Sequence, residues 1–190
     1  MTLVEQYVLC RKDLRTTVVG IATTRLKLLH TSWDPVRTAK LCETLDTTKC
    51  DHLATALKDA DYNTSEEVHG LSVTGSIRRI DIIAFKESTR SGCIIDPTVR
   101  FETDEEQPAE VDNEKKNIYN PTIPYYLQKY QLKELEVIGL LVGARGTATL
   151  FMKDVFKRIG MPTSIIPIVT LAALKGLIAL LKNHLYSKSN

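Results

Sequence analysis

The chain has 190 residues, long enough for one domain with a sizeable core plus an appendage. Its 43% hydrophobic and 25% charged residues are those of an ordinary soluble globular protein, and a net charge of +2 is uninformative as a sum. No amino-terminal stretch has the basic, apolar, small-residue order of a secretory signal, and Cys10, Cys42, Cys50 and Cys93 share no tight paired spacing. A disulfide framework and a zinc ribbon are therefore not indicated, and an intracellular setting, nuclear or cytoplasmic, is expected.

Residues 1–48 mix β-branched and basic side chains without a clear period, with a turn at Trp33-Asp34-Pro35, and read as a poorly defined appendage. The readable domain is 49–190. It opens on a helix, because Leu53, Ala56, Leu57 and Ala60 recur at helical spacing and Asp61-Tyr62-Asn63 ends them. Three strands follow: a weak one at Glu67 to Val73, a strong one at Arg79 to Phe85, and a strong one at Cys93 to Glu102. The polar connection from Lys86 to Gly92 has hairpin length. Pro97 cannot donate to a ladder, which argues for an edge position or a bulge.

Residues 102–114 hold seven acids and no base. A helix is expected from Val111 to about Tyr119, broken by Pro121 and Pro124 and resuming toward Tyr130. Leu135 to Val142 is a near-continuous apolar run, the mark of a strand covered on both faces. Leu150 to Ile159 reads as a helix closed by Gly160, and a last helix runs from about Thr163 to Tyr186. Pro167, Lys175 and Gly176 interrupt its apolar stretch, which falls short of the roughly 20 residues a bilayer span needs. The order is helix, three strands, helix, strand, then helices: an α/β domain with a mixed sheet and flanking helices. From Lys115 onward eleven Lys and Arg face three acids, a balance compatible with a polyanionic partner or with solvated helix faces.

Aspartate is depleted in strands, yet Asp81 and Asp96 each sit inside an apolar one, with fourteen residues between them. If Phe85 stands opposite Gly92 in a hairpin, Asp81 falls opposite Asp96. Like charges so placed destabilise a sheet, and a divalent cation would offset the repulsion. By period two, Thr98, Arg100 and Glu102 share the face of Asp96. The same pattern also fits the solvent-facing side of a hairpin.

The segments Arg78-Arg79-Ile80-Asp81-Ile82-Ile83-Ala84, Gly92 to Glu102, Glu114-Lys115-Lys116-Asn117-Ile118-Tyr119 and Val137 to Gly146 resemble, in order and spacing, one endonuclease block. It is the restriction-like endonuclease of site-specific, insect-type non-LTR retrotransposon polyproteins. The resemblance runs over roughly residues 50–186 and implies a PD-(D/E)xK fold, with Asp81 and Asp96 as the metal-binding acids. Ile80 replaces the motif's proline, and Thr98 stands where a D-x-K lysine would be. In this branch the lysine often comes from the following helix, so Lys115 is taken for that role, with Lys116 as the alternative.

The resemblance thus implies Mg²⁺-dependent cleavage of double-stranded DNA, with Asp81, Asp96 and Lys115 catalytic and Asp81 and Asp96 holding Mg²⁺. Arg78, Arg79 and Arg145 are candidate contacts to the nucleic-acid backbone. No membrane and no small-molecule substrate are expected. The alternative is a relic or domesticated fragment that binds nucleic acid without cutting it. Cys42, Cys50 and His52 lack a fourth ligand for a zinc knuckle.

Overall fold

A computed structural model describes residues 50–186. The appendage 1–48, the turn at Trp33 and the ligand candidate Cys42 lie outside the described residues. The first helix, α1, runs through 50–59 and buries Leu53, Ala54, Ala56 and Leu57. Asp61, at φ 65, takes the left-handed conformation that closes a helix.

Strands β1 (Asn63–Leu71), β2 (Ile77–Lys86) and β3 (Ser91–Arg100) follow as an antiparallel meander. Helix α2 (Gln107–Tyr119), a 3-10 turn (Asn120–Thr122) and helix α3 (Ile123–Tyr130) then return the chain to β4 (Glu134–Gly143). That strand pairs parallel to β3, so the four-stranded sheet is mixed, in the order β1-β2-β3-β4. Helix α4 (Leu150–Arg158), a 3-10 turn (Thr163–Ile165) and helix α5 (Ile166–Tyr186) complete the described chain. Among the described residues no helix is long and apolar enough to cross a membrane.

Strand alternation splits the core across the two sheet faces. Ile82, Ala84, Cys93, Ile95, Ile138, Leu140 and Val142 pack with Leu53 and Leu57 of α1, Phe156 of α4 and Val169 of α5. Ile83, Ile94, Leu135 and Val137 pack on the other face with Tyr119 of α2 and Tyr126 of α3. Both central strands are covered twice, which is why they read as isoleucine-rich runs. Each buried isoleucine contributes about 1.5–3 kcal/mol of transfer free energy.

The strands also depart from expectation in starting earlier, β1 at Asn63, β2 at Ile77 and β3 at Ser91, and β3 ends at Arg100 rather than Glu102; four further points have a local reason. Strand β1 ends at Leu71 rather than Val73, because the Ser72 hydroxyl accepts from the amides of Thr74 and Ser76, at 3.2 Å each, and builds a turn. Helix α2 begins at Gln107, inside the acidic run, because Asp104 Oδ1 accepts from the amides of Glu106 and Gln107 at 3.0 and 2.9 Å. Pro124 does not break α3; it occupies the first turn, where no amide partner is lost. Pro97 lies in β3, interior in the sheet order, but past the end of the β2 ladder, so its β2 side is locally an edge. Its pairing to β4 continues through Pro97↔Leu140, whereas the β2–β3 ladder ends at Ile82↔Ile95, just before the residue that has no N–H to give.

Candidate functional site

The β2–β3 hairpin sets Phe85 against Gly92 and Ile82 against Ile95, and one more step of that register would place Asp81 against Asp96. At this point β2 departs from regular alternation. Ile80 and Ile82, two residues apart, lie in opposite cores. Glu67, between the residues paired with Ile80 and Ile82, has φ 51. The strand therefore twists at Asp81, which is half-buried, and period two alone does not define its direction.

Asp96 is 4% exposed and faces α2. Its Oδ2 accepts from the Tyr119 hydroxyl at 2.7 Å; its Oδ1 accepts from Thr98 Oγ1 at 3.2 Å and lies 3.0 Å from Lys115 Nζ. Lys115 and Tyr119 are four apart on α2 and so share one helix face. The helix comes this close because β4 presents Gly139, the residue paired with Asp96. A Cβ on Gly139 would stand 2.6 Å from the Val111 carbonyl oxygen and 2.8 Å from Lys115 Cγ. Asp112 fastens the same contact, its Oδ1 accepting from the Gly139 amide at 2.9 Å.

Lys116 points elsewhere, onto Asp112 Oδ2 at 2.5 Å. Of the two lysines considered from the sequence, only Lys115 reaches Asp96. Its ammonium supplies a positive charge beside Asp96, the compensation that the sequence argument assigned to a cation.

The Tyr119 hydroxyl senses the whole cluster. Burial, the charge and hydrogen bond of Asp96, and the charge of Asp81 push its pKa well above 10, while Arg78 pulls it back. Asp81 and Arg78 thus both lie within electrostatic reach of the group that holds Asp96.

The other polar residues of the row are engaged with the protein. Arg100 makes a bidentate pair with Glu114, at 2.9 and 2.7 Å. Arg145 donates from Nε to Glu102 Oε2 at 2.9 Å and from an Nη to the Glu102 carbonyl at 3.1 Å. Arg158 pairs with Glu136, and Lys129 lies over the rings of Tyr125 and Tyr130. Much of the basic third is therefore committed within the fold. Arg78 and Arg79 are exposed on β2, and Arg79 stands 3.8 Å from Glu67, a separation that contributes little at a solvated surface.

Cys93 is buried, and that burial, followed by the charge of Glu136, pushes its thiol up to about 12, which keeps it protonated at neutral pH. Among the described residues no three His, Cys, Asp or Glu side chains form a metal cage. The oxygen chemistry nonetheless suits Mg²⁺, which takes one or two carboxylates and fills its remaining positions with water and phosphate. Three hydrogen-bonding or ionic partners occupy the Asp96 carboxylate, which has about four acceptor positions.

Sequence reasoning passed over Tyr119 and Gly139 as parts of the site. The i,i+4 relation of Lys115 to Tyr119 was a usable signal; the Gly139 contact is tertiary and had none.

The chain matches no protein-family model and no curated protein. A crystal structure of a protein of unknown function, AF1548, aligns with 76% of this chain and 100% of its own at 11% identity, with a TM-score of 0.34. A likeness that loose carries no argument about fold or function.

Proposed function

We propose that this chain is a Mg²⁺-dependent phosphodiester nuclease of the restriction-like kind, related to the target-nicking domain of non-LTR retrotransposons and acting on double-stranded DNA. One observation carries the reading: a buried strand aspartate, Asp96, meets a lysine delivered by the following helix, 3.0 Å away, where the β2–β3 ladder ends beside Asp81. The order helix, three antiparallel strands, helix, parallel strand supports the restriction-like reading of the fold.

Asp81 and Asp96 would hold Mg²⁺. When bound, it supplies Lewis-acid neutralisation of the phosphate and lowers the pKa of a coordinated water. Tyr119 and Thr98 keep the Asp96 carboxylate in one orientation, so no reorganisation is needed as substrate arrives. Lys115 donates from its ammonium to a phosphate oxygen as negative charge builds there. Arg78 and Arg79 approach the backbone from β2 in a salt-sensitive, sequence-blind way.

The test is nicking of supercoiled plasmid with Mg²⁺, by the wild type and by Asp96→Asn and Lys115→Met. Mg²⁺-dependent nicking that both variants lose supports the reading; no nicking by the wild type, or nicking unchanged in both variants, ends it.

One observation favours a second reading, a nucleic-acid-binding chain that does not cut. The Asp96 carboxylate is already satisfied inside the protein by Tyr119, Thr98 and Lys115. Titration with Mn²⁺ separates the two, because a purely structural Asp96 gives no saturable site that is lost in Asp96→Asn.

A further inference from the structure

The turn that joins β1 to β2 carries three large aliphatic side chains in open solvent: Leu71 is 48% exposed, Val73 71% and Ile77 70%. Single exposed aliphatics are ordinary, but a cluster at the tip of a hairpin is a surface cost that a partner can recover. The tip is also rigid. Ser72 hydrogen-bonds through its hydroxyl to Thr74 Oγ1 at 2.7 Å and Ser76 Oγ at 2.8 Å, and Gly75 supplies the positive φ, at 81°. The Ser72 amide donates to the Ser76 carbonyl at 2.9 Å, closing the turn.

The tip is anchored beside the candidate site. The Val73 amide donates to the Pro121 carbonyl at 2.9 Å, and Pro121 follows shortly after Tyr119. Gly70 packs directly on the Tyr126 ring, where any side chain would collide. Leu71 and Ile77 are paired, on a strand position adjacent to Gly70 and hence on the opposite face from that contact.

Charge identifies the occupant. Between Glu67 and Asp81 the charged side chains are Arg78 and Arg79, with His69 paired against Arg79, and Glu67 stands 3.8 Å from Arg79 at a solvated surface. A protein-binding apolar patch needs no such bias, whereas a phosphate backbone on either side of an apolar contact does.

We propose that the Leu71–Ile77 turn is a wedge for double-stranded nucleic acid. It places Val73 and Ile77 against a base step in the groove while Arg78 and Arg79 contact the adjacent phosphates. The inference rests on the nuclease reading for its setting, but it makes a separate claim, that the duplex is locally unstacked at this turn. A rigid prong suits the task because little conformational entropy is lost on insertion.

The experiment uses the full chain with EDTA present and duplexes carrying 2-aminopurine, whose fluorescence rises when a base unstacks. The expected results are a rise on binding by wild type and loss of that rise in Val73→Ser/Ile77→Ser. Affinity in that variant should fall roughly ten- to a hundred-fold, the scale of burying one aliphatic side chain in full or two in part. Val73→Phe should keep the rise. Arg78→Ala/Arg79→Ala should flatten the dependence of log affinity on log salt by about 1.8, for two phosphates released. Both serine substitutions lie on exposed positions, and an unchanged thermal unfolding curve verifies the fold.

Equal binding and fluorescence by wild type and Val73→Ser/Ile77→Ser overturn the wedge. So does absence of duplex binding, or a concentration-dependent dimer of wild type that the serine pair abolishes. Plasmid nicking scores the nuclease reading independently. Nicking with no fluorescence rise removes the wedge and leaves the nuclease; a rise with no nicking leaves the wedge and removes the nuclease.

Discussion

Gly139 and Asp96 are paired across the parallel β3–β4 ladder, and the missing side chain of the one lets α2 bring Lys115 to the other. Gly139→Ala should therefore do two things. Its methyl meets the Val111 carbonyl oxygen at 2.6 Å and Asp112 Cα at 2.8 Å, both on backbone that cannot yield locally. Overpacking of this kind costs about 1–3 kcal/mol, read as a lower urea midpoint at unchanged slope. Nicking should fall further than stability does, because α2 is displaced from the sheet where Lys115 meets Asp96.

Asp96→Ala should be strongly destabilising. Removal of a strand carboxylate relieves repulsion with Asp81, but Lys115 already compensates Asp96. Its side chain is only 15% exposed, and the substitution leaves it facing an apolar methyl. Losing one partner of such a pair costs about 3–5 kcal/mol. Asp96→Ala/Lys115→Met removes both charges and should recover most of that loss, and urea unfolding of the four proteins in the cycle measures the coupling.

The two adjacent lysines should separate cleanly. Lys115→Met should abolish nicking, whereas Lys116→Met should leave it intact and cost no more than about 1 kcal/mol. Lys116 pairs with Asp112 from a side chain that is 42% exposed. Nicking lost with Lys116 and kept with Lys115 would reverse the assignment.

Tyr119 should make the fold sensitive to alkali. Its folded pKa is raised above the ordinary 10, by burial first and by Asp96 next, so the folded state keeps the hydroxyl proton that the unfolded chain releases. More protons are then bound folded than unfolded, and stability falls as pH rises. The contribution is complete below pH 10 and is lost above it, toward the folded pKa. Tyr119→Phe should remove this slope while costing about 1.5–3 kcal/mol at neutral pH, the scale of a hydrogen bond to a charged acceptor. Chemical denaturation at pH 7 and at alkaline pH reads both.

Asp104 should behave as a helix cap. Hydrogen bonds from the Thr103 hydroxyl and the Gln107 amide hold its carboxyl below the usual range. Asp104→Ala should fray the first turn of α2, visible as faster amide exchange there.

Strand and helix order were legible because burial imposes its period on the chain: isoleucine-rich runs for doubly covered strands, and Leu53, Ala56 and Leu57 at helical spacing for α1. The Phe85↔Gly92 register was legible too, because the Lys86–Gly92 connection permits few closures. Asp81 and Asp96 stood out as charges in apolar strands, and Lys115 and Lys116 as the nearest lysines after the hairpin. Choosing between those lysines was beyond sequence, since adjacent helix residues differ by 100° in direction and only the docking of α2 orients them. That docking depends on Gly139 and Asp112, whose contact joins segments far apart in the chain and leaves no periodic trace. The same holds for the acidic run, which read as a charge block and holds specific bonds at four of its seven acids: Asp104 to helix amides, Asp112 to Gly139, Glu114 to Arg100 and Glu102 to Arg145. Composition reports how many charges a segment carries. Only the packed structure decides which of them remain available to a partner, because a charge is committed by the group it meets in space.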